Sequence, residues 1–328
     1  MNSKLRNSVT KNITFDMKLS QAPSSVLMVR PSSFGFNLQT AFTNAFQQDK
    51  VEPALNVSAK ALEEFNIMVD TLTAHDVEVI VVDDPMEPHK PDAIFPNNWI
   101  SFHDDGKVIL YPMLAENRRL ERAIPVIENI KSKFQVSEVI DLSYYERKNE
   151  FLEGTGSVVF DYQNQIAYAC RSPRTHETVL IDLCKRIGFK PILFDAVDEN
   201  DQPIYHTNVL MCIGTDFAVV CLDAIKKDQD QELLLQMLMD TQHKIVSVSY
   251  EQMRSFAGNM IEVLTKSSEP VVLISEKAFY SLLPGQLDAI SKYVEPIPLA
   301  INTIEQYGGG SVRCMVAGIF NKKLNPTR

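Results

Sequence analysis

The sequence predicts an α/β protein whose repeated units, each two strands, a helix and a third strand, close into a ring. Two observations predict it. An aromatic residue followed by a turn and an apolar run recurs about every fifty residues, at Phe95, Phe151, Tyr205, Phe256 and Tyr307, and such a fixed period marks a repeat architecture. Between these points the elements follow one order. Residues Ser157 to Phe160 and Gln165 to Cys170 read as strands around the turn at Asp161 to Asn164. Thr175 to Ile187 then carries apolar residues at helical spacing up to Gly188, and Lys190 to Phe194 is a third strand.

The next unit repeats this with strands at Val209 to Ile213 and Phe217 to Leu222, a helix at Gln231 to Gln242 and a strand at Ile245 to Val248. Val271 to Ile274 and the helix Leu283 to Tyr293 belong to the unit after it. The last turn and strand, running to Phe320, have no elements after them. The strand Val26 to Arg30, a helix near Ala59 to His75 and the strand Val77 to Val82 can complete that unit, joining the chain ends. A closed ring also removes exposed sheet edges.

With 328 residues, 45% hydrophobic and 23% charged, the composition is that of a globular protein. No apolar run reaches the roughly 18 residues of a membrane span. The polar segment Met1–Ala22 lacks a signal-peptide core. It is expected to be a disordered tail (1–22) on a single cytoplasmic domain (23–328). A net charge of −10 argues against nucleic acid, which requires clustered Lys and Arg. A homo-oligomer is left open.

The five cysteines, 170, 184, 212, 221 and 314, form no CxxC pair, so neither a disulfide framework nor a structural zinc site is expected. The first four lie in apolar strand-like or amphipathic runs and read as small buried hydrophobes. Cys314 follows Gly308-Gly309-Gly310-Ser311, a stretch that permits positive φ and close approach of a ligand. No Lys follows these glycines as a phosphate-binding loop requires. A free thiol needs help to become a nucleophile. His206 and Glu153 hold the equivalent place in two other units, so a ring aims all three at one centre. Cys, His and a carboxylate then form a nucleophile, an acid/base and an orienting group. The other histidines, at 75, 89, 103, 176 and 243, have no such partners.

Three segments, Leu152-Glu153-Gly154, Tyr205-His206-Thr207-Asn208 and Gly308-Gly309-Gly310-Ser311-Val312-Arg313-Cys314-Met315, resemble the guanidino-group-modifying pentein superfamily. Arginine deiminases, dimethylarginine hydrolases and amidinotransferases belong to it. The resemblance covers nearly all of the chain after about residue 24. It implies a five-bladed α/β propeller of ββαβ repeats with pseudo-five-fold symmetry. It also implies Cys314 as nucleophile, His206 as general acid/base and Glu153 as the acidic site residue. Such chemistry needs no cofactor, and no metal-ligand spacing stands out in the sequence. Two further segments, around Asn117-Arg118-Arg119 and Arg171-Ser172-Pro173-Arg174, resemble arginine-containing stretches of the superfamily. They imply Arg118 and Arg174 as partners of a substrate α-carboxylate.

The chain departs from the arginine-directed members where they carry aspartates. It has Asn98 in one place and Asn208, two residues after the histidine, in the other; Gly156 stands near a third acidic position. Amides both donate and accept, which suits a neutral ureido group better than a guanidinium. With Asn97 and Asn98 in Phe95-Pro96-Asn97-Asn98-Trp99, the pattern looks like the citrulline-utilisation hydrolase branch. The expected reaction takes citrulline to ornithine, ammonia and carbon dioxide through a covalent cysteine intermediate. The alternatives are arginine or dimethylarginine hydrolysis, amidino transfer to an amine, and a non-catalytic propeller that only binds.

Overall fold

A computed structural model describes residues 19–48 and 53–324. Of the expected tail, residues 1–18 lie outside the described residues. The end of that segment is held in place: Gln21 is buried, donates through Nε2 to the carbonyls of Phe160 and Ile213, and accepts from the Tyr162 amide. A buried amide with three backbone partners anchors the chain there.

Five three-stranded sheets make up the molecule. Four come from consecutive segments: β3 (Ile100–Phe102), β4 (Lys107–Leu110) and β5 (Glu138–Asp141); β6 (Val159–Asp161), β7 (Ile166–Cys170) and β8 (Lys190–Phe194); β9 (Met211–Ile213), β10 (Phe217–Val220) and β11 (Lys244–Ser247); β12 (Ile261–Leu264), β13 (Pro270–Ser275) and β14 (Glu295–Leu299). In each, the first strand pairs antiparallel with the middle one, and the third runs parallel to it. The fifth sheet joins the chain ends. There β15 (Ala317–Ile319) pairs antiparallel with β1 (Ser25–Arg30), and β2 (Glu78–Asp83) lies parallel on its other side. The five-bladed α/β propeller expected from the repeats is thus the architecture.

Burial explains the strand order. The middle strands β7 and β10 are buried at every residue, and they read as continuous apolar runs because both faces are covered. The third strands are outer edges. β14 carries Pro296 and Pro298, which an edge tolerates because a ladder donor is not needed on its open side. The helix Glu177–Ile187 buries Val179, Leu180, Leu183, Cys184 and Ile187 on one stripe. His176 accepts from the Thr178 amide at its start, and Gly188, at φ 76°, ends it in the left-handed region. Burying a side chain such as Leu183 contributes roughly 1.5–3 kcal/mol.

The first strands are shorter than the sequence suggests. Ser157 belongs to a helical turn at Gly154–Ser157, and Val209 and Leu210 to another at Thr207–Leu210. Neighbouring turns are tied together: Thr207 Oγ1 donates to the Ser157 carbonyl, and Ser157 Oγ donates to that of Arg174. The first of these bonds uses the Ser157 carbonyl, which a longer strand would have paired.

Candidate active site

Four of the five blades approach their first strand through a short helical turn, and most of the expected site residues sit on or beside these turns. Asn97 and Asn98 lie in Pro96–Asn98, Glu153 immediately precedes Gly154–Ser157, His206 immediately precedes Thr207–Leu210, and Cys314 lies within Val312–Met315. A small pocket is lined by Asn98, Arg118, Arg174, His206, Gly308 to Gly310 and Cys314, together with Asp92 and Tyr205. Asn97, Glu153 and Asn208 are not on that wall; Asn208 lies behind Cys314, with its Nδ2 against the sulfur. Asn97 is fully buried, with neither side-chain polar atom paired. Glu153 stands directly behind His206.

Glu153 is 1% exposed. Its Oε2 lies 2.8 Å from His206 Nε2 and 3.4 Å from Arg174 Nη1, and its Oε1 accepts from the Leu114 amide at 3.0 Å. Burial alone would raise this carboxyl. The Arg174 charge, the bond from His206 and the more distant Arg118 outweigh it and hold the group at about 2. Burial pushes His206 the other way, to about 4, against the pull of Glu153. At neutral pH the pair is therefore an ionised carboxylate and a neutral imidazole. A carboxylate only accepts, so Nε2 carries the ring proton and Nδ1 is left as the basic nitrogen. If the reaction needs that basic nitrogen, the acid limb of kcat/KM is expected near pH 4, well below the ordinary histidine value of 6.5. A profile from pH 3.5 to 8 checks this, and an acid limb at or above 6.5 would contradict it.

Nδ1 faces Gly156. A Cβ on Gly156 would come within 2.7 Å of Nδ1 and 2.5 Å of Asn98 Nδ2, so only glycine lets the imidazole and the Asn98 amide close over this backbone. At the other wall Gly309, at φ 61°, ends the helix Asn302–Gly308, and its N–H is spent on the Glu305 carbonyl. That amide is thus not available as an oxyanion donor. The three glycines do not act alike, because only Gly309 takes positive φ.

Among the described residues, the partners of the Cys314 sulfur are two side-chain amides. Asn208 Nδ2 and Asn259 Nδ2 each lie 3.4 Å from Sγ. Asn259 was visible only as the last residue of the Phe256 turn motif, with no chemistry to mark it. The other four cysteines are buried, and burial pushes their thiols up to about 12 for Cys170, Cys184 and Cys212 and about 11 for Cys221.

Both expected arginines reach the pocket, and both are already engaged. Arg118 grips Glu121 with Nε and Nη2, each at 2.9 Å, and donates from Nη1 to Asn98 Oδ1 at 2.7 Å. Arg174 donates to Thr43 Oγ1 and to the Thr40 carbonyl, with its guanidinium 5.1 Å from the Tyr205 ring. Those threonines belong to a strap, residues 37–48, that crosses the pocket. Asn44 and Gln47 fasten it to the carbonyls of Gly309 and Tyr307. Its residues show no periodic pattern, so the sequence held no signal for it. Among the described residues no cluster of side chains suits a metal ion, and no helix is long and apolar enough to cross a membrane.

Fold and site together define a member of the pentein superfamily of guanidino-modifying enzymes. The chain belongs to the family described as "N,N dimethylarginine dimethylhydrolase, eukaryotic", whose model matches residues 30–321. Among solved structures it is similar to apo ArgZ, an arginine dihydrolase from the ornithine-ammonia cycle in cyanobacteria. The TM-score is 0.71 at 14% identity, covering 92% of this chain but only 41% of that one. The N-terminal domain of ArgZ, as a Cys-to-Ser mutant bound to substrate, gives a TM-score of 0.69 at 15% identity, covering 89% of this chain and 96% of the other. DDAH from Pseudomonas aeruginosa, a Cys-to-Ser mutant complexed with citrulline, gives 0.63 at 13% identity, covering 90% and 99%. At these identities the likeness is one of fold. No curated protein sequence gives a significant match.

Proposed function

We propose that the protein is a cysteine-dependent hydrolase of C–N bonds that takes citrulline to ornithine, ammonia and carbon dioxide. One observation carries the choice of substrate. In the pocket wall Asn98 Nδ2, a donor, has no partner, and neither does Oδ1, an acceptor, of Asn208, whose Nδ2 lies against the Cys314 sulfur. A ureido group presents the matching pair, a carbonyl and N–H groups, and leaving buried amide atoms unmatched costs about 1–3 kcal/mol each.

In this reading the Cys314 sulfur attacks the ureido carbon. The proton from the thiol passes to His206 Nδ1 and on to the departing δ-nitrogen, which leaves as ornithine. The negative sulfur favours the imidazolium that burial otherwise opposes. Glu153 fixes the ring through Nε2. Water, deprotonated by Nδ1, then attacks the S-carbamoyl carbon; the C–S bond breaks, and the carbamate released falls apart into ammonia and carbon dioxide. Arg174 is the proposed partner of the α-carboxylate, exchanging its strap contacts for substrate. Arg118, held by Glu121, orients Asn98.

One observation favours a second reading, hydrolysis of arginine or a methylated arginine: Asp92 lines the same pocket with Oδ1 unpaired, and that oxygen suits a cation. A panel of citrulline, arginine and dimethylarginine, scored for ornithine, citrulline and ammonia, separates the two. Citrulline made from arginine, with citrulline itself untouched, rejects the first reading. Asn98→Asp should shift the balance. It keeps the acceptor for Arg118 but replaces the free donor by a negative oxygen, so kcat/KM for citrulline is expected to fall about 10- to 100-fold relative to arginine. An unchanged ratio would remove Asn98 from the recognition.

A further inference from the structure

We infer that Asn259 is a catalytic residue, which together with Asn208 forms a two-amide cradle holding the negative charge of the Cys314 thiolate. The geometry assigns this to Asn259 from two bonds besides its contacts with sulfur. Its Nδ2 donates to the Asn208 carbonyl at 2.9 Å, and its Oδ1 accepts from the Arg313 amide at 3.1 Å. The side chain is fully buried. With Oδ1 held by a backbone N–H, the amide keeps Nδ2 3.4 Å and Oδ1 3.7 Å from the sulfur, so the thiol donates to Oδ1 while it keeps its proton and the bared sulfur accepts from Nδ2. Asn208 is tied at its backbone, whose carbonyl accepts from Asn259, and its Nδ2 lies on the same sulfur. Two neutral donors converge on one thiol from two neighbouring blades.

Such an arrangement offers two hydrogen-bond donors to a sulfur that has given up its proton, and hydrogen bonds to a charged group are the stronger kind. It does so without placing another charge in the pocket. Ionisation breaks the S–H bond and leaves its electron pair on sulfur. The proton goes to His206 Nδ1 during turnover, or to water where the imidazole has been removed. The division of labour is then clear: the asparagines hold the nucleophile, and His206 moves protons. This rests on Cys314 being the nucleophile and is independent of which substrate is used.

The test is the rate at which iodoacetamide alkylates Cys314 at pH 7, followed by peptide mass, a step in which the S–C bond forms and iodide leaves. Asn259→Asp keeps the acceptor for Arg313 but sets a negative oxygen against sulfur. It is expected to slow alkylation by about tenfold or more, because rate follows the thiolate fraction. His206→Ala, which loses turnover, is expected to alkylate within about threefold of the unmodified protein. Continued protection of the other four cysteines reports that each variant is folded. If Asn259→Asp fails that control, Asn259→Ser replaces it with the same expected slowing. Alkylation of the folded Asn259 variant at the original rate would overturn the inference, as would His206→Ala slowing it equally. If Cys314 of the unmodified protein reacts no faster than the other cysteines, the nucleophile reading falls and this inference falls with it.

Discussion

Cys314→Ala is expected to lower ornithine release from citrulline by on the order of ten-thousand-fold or more while the protein stays folded. The size of the effect follows from covalent chemistry. Without the sulfur no carbamoyl intermediate forms, and neither Glu153 nor His206 can substitute, because the carboxylate is enclosed between His206 and Arg174. The fold should survive because the change deletes one buried atom whose contacts are two neutral amides. Ornithine assay and thermal unfolding of the same preparation check both halves. Turnover within tenfold of the original would mean that the thiol is not the nucleophile.

Glu153→Gln is expected to cost both activity and stability. The glutamine can still accept from one neighbour, but it no longer balances the buried Arg174 or fixes the His206 tautomer. Breaking a buried charge pair from one side costs about 3–5 kcal/mol, and losing the group that orients a catalytic histidine costs about a hundred- to ten-thousand-fold in kcat. The pH dependence has a defined sign. The carboxyl lies at about 2 in the folded protein against an ordinary 4.5. Its contribution is thus fully present above 4.5 and is lost as pH falls toward 2. The stability gap between the original protein and Glu153→Gln should therefore narrow as pH drops below 4.5. A gap that stays constant or widens there would show that the carboxylate charge is not what the glutamine removed.

The sequence carried the ring and much of its centre. Period, turn residues and element order foretold five blades and the joining of the chain ends, because middle strands must be continuously apolar and turns must carry glycine or asparagine. Glu153, His206 and Cys314 stood out through equivalent positions and uncommon chemistry. Asn259 held an equally equivalent position and passed unremarked, since an asparagine shows its role only when both ends of its amide have partners. The strap at residues 37–48 was illegible for a different reason. It is held by side-chain bonds to backbone carbonyls from the far end of the chain, and such bonds leave no periodicity. Arg118 shows a third limit: the pattern marked it as a site residue, but only the geometry shows its fork spent on Glu121, with a single contact passed to Asn98.

The most direct measurement is the mass of the protein quenched during turnover of citrulline. A carbamoyl group of about 43 Da is expected on the peptide carrying Cys314 and on no other cysteine. It should persist longer in a His206→Ala variant able to form it. Rapid ornithine release with no adduct on Cys314, continuing in Cys314→Ala, would contradict the shared site at its root.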